Sequence, residues 1–362
     1  MNPFNLTDYF KPGAIKDRID PRDYHWPTEI GAALPPFDWS QGIDVQADLS
    51  TSLKNQSFTL PVKSQNGSLS CGGQAWASYG SVLEAFATVS FEERSAKFIY
   101  AQTHVVGGGS AGRDNCNLVV KQGWATEATC VSYDHGAPPG EDFMERASDI
   151  TDASRADASK STAVSYANTG TNIDDIAQAI RENHGVVIGV SGQNNGTWGG
   201  EFPQPPIYGS IKPIWRHWVY AAKAKLVNGV KHIGFLNSWG TGFGDKGWQW
   251  LSETYFNTIL SNETAIWSGW THIYNLNPVS TAFHYMFNTN MSFGDANDDV
   301  KALQKALTLT GDFPVSISPT GYYGNATSAA VLKFQIRSGI LQPDRNHAGP
   351  LTRAALNARF SQ

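Results

Sequence analysis

The chain has 362 residues, 41% of them hydrophobic and 12% aromatic, enough for a sizeable core and more than one compact domain usually needs. Charged residues make up only 16% and the formal net charge is -5, so neither a nucleic-acid nor a membrane-surface binder is expected. No run of about 18 apolar residues occurs, which leaves no candidate for a transmembrane helix.

Residues 1 to 45 are irregular, with Pro3, Pro12, Pro21, Pro27, Pro35 and Pro36 spread through them, and read as an extended arm laid over a surface. The opening Met1-Asn2-Pro3-Phe4-Asn5-Leu6 lacks the basic and apolar regions of a secretory signal, so export is expected to use another route or a segment outside this sequence. Residues 46 to 64 lead in through a strand-like Phe58-Thr59-Leu60-Pro61-Val62.

The stretch Gln65-Asn66-Gly67-Ser68-Leu69-Ser70-Cys71 is a polar loop that runs into one cysteine. From there Trp76, Tyr79, Val82, Leu83, Phe86 and Ala87 recur at helical spacing. Cys71 therefore stands at a helix N-terminus, where unpaired N–H groups and the helix dipole favour a thiolate. Cys116 and Cys130 complete a set of three, too few for a disulfide scaffold and without C-x-x-C spacing. A single bridge between those two and two reduced thiols are equally compatible with the sequence.

A short helix is expected at Ser95–Tyr100, then the glycine run Gly107-Gly108-Gly109, then a helix from Gly112 to Gln122. The segment from Ala137 to Ser161 reads as surface loop with a helical piece. Ile173 to Asn183 is amphipathic, with Asn172 or Thr171 to cap it, and Val186 to Val190 reads as a buried strand. Arg216–Val227 and Val230–Asn237 flank Asn228-Gly229, the preferred type I′ hairpin dipeptide. Centred on that turn, Asn237 faces Tyr220, and His217 lies about three residues out of register, about 10 Å or less, an offset that one bulge could close.

Gln65, Cys71, His217 and the run Asn237-Ser238-Trp239-Gly240-Thr241-Gly242-Phe243-Gly244 resemble the papain family of cysteine peptidases. The resemblance spans about residues 46 to 278. It implies an α+β fold of two lobes, one helical and one sheet, with the active cleft between them. It also implies Cys71 as nucleophile, His217 as its acid–base partner and Asn237 as the group orienting that histidine. Gln65 is implied as an oxyanion donor, with Trp239 shielding the His217–Asn237 bond beside the substrate and Gly107, Gly108 and Gly109 as the backbone wall along which a peptide binds. The Cys-Gly-Ser/Ala-Cys-aromatic signature is not met, since Trp76 follows Cys71 by five residues. A second alignment therefore puts the nucleophile position near Gln74 or Ala75 and leaves the chain inactive. The spacing from Gln65 to Cys71 favours the first. The arm at 1 to 45 is shorter than the family's usual inhibitory pro-region.

Residues 279 to 293 read as a linker. Beyond them Asp298, Thr327 and Pro350 each start a helix. Asp299-Val300, Leu303-Gln304, Gly321-Tyr322-Tyr323-Gly324, Phe334-Gln335 and Gly349-Pro350-Leu351-Thr352 resemble the small all-α peptidoglycan-binding domain of bacterial and phage wall enzymes, here at 294 to 362. Together the resemblances imply a cysteine endopeptidase acting on proteins or peptides without cofactor or metal. They imply attachment to peptidoglycan and a place outside the cell, in its envelope or on a phage particle. Two alternatives stand beside that reading: a hydrolase of peptidoglycan stem peptides, and an inactive binding protein. The other histidines show no metal-ligand spacing.

Overall fold

The computed structural model describes residues 13–18, 20, 23–31, 34–65, 67–133, 140–163, 165–273, 283–314, 317–338, 340 and 346–360. Its strands are β1 (Ala14–Ile15), β2 (Ile43–Asp44), β3 (Ser110–Ala111), β4 (Ser165–Asn168), β5 (Val186–Gln193), β6 (Ile214–Val227), β7 (Val230–Leu236), β8 (Trp248–Ser252), β9 (Ile259–Leu260), β10 (Glu263–Thr264) and β11 (Ile266–Ile273). Among the described residues, one sheet runs in the order β4-β11-β5-β6-β7-β8, with β2 beside the far half of β6. Its pairings are all antiparallel. All eight residues of β5 are buried, as a strand covered on both faces requires.

The helix Cys71–Thr88 packs across this sheet. Trp76 meets Trp218 of β6 edge-on at 5.3 Å, and Tyr79 stacks on Tyr220 at 5.3 Å. Trp76 also donates through Nε1 to His272 of β11. Helices Ala96–Thr103 and Gly112–Lys121 stand beside it as a helical layer. The expected helix Ile173–Asn183 forms with Asn172 as its cap, accepting from Asp174 and Asp175 N–H. Phe58–Val62 makes no strand; the helix Val45–Ser52 precedes it, and Leu60 N–H is spent on the Gln46 side chain. Of the loop expected from Ala137, residues 134–139 lie outside the described part; two short helices, Glu141–Met144 and Asp152–Ala158, follow. Cys116 and Cys130 are both reduced and buried.

The hairpin carries the bulge its register called for. Pairs from Val227↔Val230 back to Lys223↔Gly234 follow the turn, and then the register slips, so that Ala221 faces Phe235 and Tyr220 faces Leu236. Continued by one residue, Asn237 lies opposite Val219 rather than Tyr220. This changes more than distance. Side chains alternate faces along a strand, so without the slip Asn237 would project on the side opposite His217. The bulge gives both the same side.

Helices Asp298–Leu309, Asn325–Arg337 and Pro350–Phe360 surround a separate apolar core with Val300, Leu303, Leu307, Phe334 and Leu356. The second helix starts two residues before the expected Thr327, capped by Gly324. The expected linker is corrected over its described part. Phe287 and Met291 are buried in this core, and Met291 bridges Ala348, so the chain from 283 onward belongs to the three-helix unit. Residues 279–282 lie outside the described part. The unit also docks on the larger body: Leu332 and Ile336 join the main core, and Lys333 pairs with Glu182 at 3.2 Å. Burying two such side chains contributes about 3–6 kcal/mol before ordering costs. That is a seat, not a free tether.

Candidate active site

Cys71 opens its helix and is fully buried. The backbones of Trp218, Gly13 and Gly72 hydrogen-bond its sulfur. Trp218 follows His217 directly in β6, which puts the histidine one residue from that contact, with no hydrogen bond between its ring and the sulfur in this covered form. Burial pushes the Cys71 thiol up to about 11, against those backbone hydrogen bonds.

His217 is fully buried as well, and its Nε2 lies 2.9 Å from Asn237 Oδ1. Trp239 stacks on the imidazole at 4.7 Å. Behind it Trp198 and Trp215 pack against Trp239, each 5.6 Å away, so the His217–Asn237 bond is dry. Nδ1 of His217 has no hydrogen-bond partner among the described residues. Burial drives the His217 pKa down to about 4, although the bond to Asn237 opposes this. Burial thus favours the neutral thiol of Cys71 and the neutral imidazole of His217.

The sign for stability follows from linkage. In the unfolded chain a histidine protonates near 6.5, in the fold only near 4, so the unfolded state binds more protons between those values. Stability from burying neutral His217 is present above pH 6.5 and is lost as pH falls toward 4. His184, also lowered to about 4 by burial, adds to it. Thermal melts should show a lower Tm at pH 5 than at pH 7; an equal or higher Tm at pH 5 would contradict this account.

Gln65 sits between the two lobes. Its Oε1 accepts from Ser238 Oγ at 2.7 Å, its Nε2 donates to Ser68 O, and its own N–H donates to Ser238 O. The amide is thereby fixed in direction next to the Cys71 loop. Gln74, the alternative nucleophile position, donates to Ser70 Oγ, and Ala75 lies in the core.

Gly109, the end of the glycine run, lies against Gly13 of the arm. β1 pairs in parallel with β3, and Ser110 N–H donates to Gly13 O. A Cβ on Gly13 would lie 1.9 Å from Leu69 O, and one on Gly109 would lie 2.4 Å from Gly13 O. Only glycine on both sides allows this approach. Lys16 then reaches over to Glu263, which also binds Arg216. Asp17 accepts from Arg113 N–H and Asp23 pairs with the Arg113 guanidinium, holding the arm further along. Of the described arm, the Gly13 backbone lies against the Cys71 sulfur.

Two residues with no sequence signal join the site. Glu141 accepts from Leu69 N–H and from Tyr100 O–H, while Tyr100 OH accepts from Gly109 N–H at 2.7 Å. One carboxylate therefore ties the loop before Cys71 to the glycine wall. Gln249 accepts from Asn237 Nδ2. Both act over long sequence separations, which local spacing does not encode. No group of three or more histidine, cysteine or carboxylate side chains that would hold a metal occurs among the described residues.

Comparison with solved structures gives the same architecture. Xylellain, a cysteine protease from Xylella fastidiosa, is 21% identical with a TM-score of 0.56, covering 72% of this chain and 95% of its own. A procathepsin B from Trypanosoma congolense is 12% identical with a TM-score of 0.50, covering 72% and 86%. No curated protein matches the chain. At the C-terminus, residues 296–356 match the family described as putative peptidoglycan binding domain. The chain carries the papain-like cysteine protease fold, followed by a small helical unit of the peptidoglycan-binding type.

Proposed function

We propose that the chain is a cysteine endopeptidase held at peptidoglycan by its C-terminal unit, and that the form described is the covered one. The division into arm (1–45), peptidase domain (46–278) and wall-binding domain, expected from 294 and extended here to include 283–293, is part of this proposal, as is a location outside the cell, in its envelope or on a virion. The observation that carries the reading is the dry His217–Asn237 bond, with Nδ1 left over, one residue from a backbone that contacts the Cys71 sulfur.

Once the arm leaves, water and substrate reach the pair and the proton passes from sulfur to His217 Nδ1. The Cys71 thiolate attacks the peptide carbonyl carbon, a C–S bond forms, and the carbonyl electron pair moves onto oxygen. Gln65 and the Cys71 N–H stabilise that oxyanion, at about 3 kcal/mol per donor. His217 gives its proton to the leaving amine as the C–N bond breaks. It then takes a proton from water, which attacks the thioester and returns the thiolate. Asn237 keeps the ring oriented without adding charge. The arm itself is no substrate, because it presents the Gly13 backbone hydrogen bond to the sulfur and spends the Gly13 carbonyl on Ser110.

The test is a peptide-library digest with the full-length Gly13→Asp chain, whose arm no longer fits, beside Gly13→Asp/Cys71→Ala. Cleavage by the first and none by the second is expected. Equal cleavage by both would remove Cys71 from the mechanism. A paired zymogram on casein and on purified cell walls decides between protein and stem-peptide substrates.

A further inference from the structure

We infer that Gln249 is a positioning residue, one that fixes the Asn237 amide and through it the tautomer of His217; the inference rests on the peptidase reading of that site. Gln249 lies in β8 and is fully buried. Its Nε2 donates to Trp198 O and to Gly200 O, both at 2.8 Å. Two carbonyls can be served only by the NH₂ end of the amide, so Gln249 cannot turn over. Its Oε1 must then face Asn237, where it accepts from Nδ2 at 2.7 Å.

The constraint passes along. With Nδ2 committed to Gln249, Oδ1 of Asn237 is directed at Ser238 N–H, 2.8 Å away, and at His217 Nε2, 2.9 Å away. An oxygen there can only accept, so neutral His217 carries its proton on Nε2 and offers the Nδ1 lone pair. That is the form able to take a proton from sulfur. Ser238 N–H alone holds one lone pair of Asn237; without Gln249 the buried Nδ2 would lack a partner, a cost that favours rotation of the amide. Gln249 also ties the 198–200 loop, and so the Trp198 ring over Trp239, to the same asparagine.

The test uses the full-length chain and two variants, Gln249→Met, which keeps the volume, and Gln249→Glu, which keeps one acceptor toward Asn237 but faces the two carbonyls with an oxygen. The readout independent of turnover is nitrogen-15 NMR of labelled histidine, with the His217 signals assigned by their loss in His217→Gln. Wild type should show the Nε2–H tautomer alone, and at least one variant a mixed population. In the Gly13→Asp background, kcat should fall about tenfold or more with KM within about twofold, since orientation and not substrate binding is lost. A single Nε2–H tautomer in every folded variant, with kcat unchanged, would overturn the role. An inactive Gly13→Asp parent would instead overturn the peptidase reading, and the tautomer spectra would still decide for or against Gln249.

Discussion

Full-length Gly13→Asp should lose its protection of Cys71 and react with iodoacetamide at least about a hundredfold faster than wild type at pH 8. Two barriers stand in wild type. The sulfur is covered, and a thiol pushed up to about 11 is ionised in only about one molecule in a thousand at pH 8. Any side chain at 13 collides with Leu69 O, so this part of the arm must lift off, while Lys16, Asp17 and Asp23 keep the rest attached. Water then reaches the pair, and desolvation no longer holds it neutral. Cys116 and Cys130 are also buried and raised by desolvation, so the modified peptide identifies Cys71 without a high background. Raising the pH should speed alkylation of wild type steeply up to about 11 and of the variant little. Equal rates in two chains of equal Tm would show that the arm does not guard the sulfur.

What the sequence made legible was what local chemistry specifies. Asn228-Gly229 set the hairpin, the apolar spacing after Cys71 set the long helix, and Asn172 set the cap of Ile173–Asn183. A bulge was called for between His217 and Asn237, but its place at Ala221/Lys223 was not, since either strand offers several positions. The arm's course was hidden for another reason. A proline-spaced stretch states that it is extended, while its partner, β3, lies about 95 residues further on in the chain. Glu141 and Gln249 were hidden in the same way, as a polar residue in a short helix and one in a strand. The linker reading erred because Phe287 and Met291 carry no periodicity; what buries them is a core built by residues after them.

His217→Ala in the Gly13→Asp background should lower kcat on the order of 10⁴-fold or more and change the form of the alkylation profile. With the histidine present and the site open, sulfur and Nδ1 share a proton as thiolate and imidazolium. Alkylation should then begin well below the ordinary thiol pKa of about 8.5 and stay level across neutral pH. Without it no base faces the sulfur, because Asn237 Oδ1 points at the vacated Nε2 position and Ser238 N–H. The profile should become a single rise at ordinary thiol pH. The sign matters more than the size. A merely structural His217 would, when removed, loosen the site and speed alkylation at every pH alike. A histidine paired with the sulfur, when removed, slows it at pH 6 and leaves it nearly as fast at pH 9. Faster alkylation at pH 6 in the alanine variant would therefore reject the pair, whatever became of the hydrolysis rate.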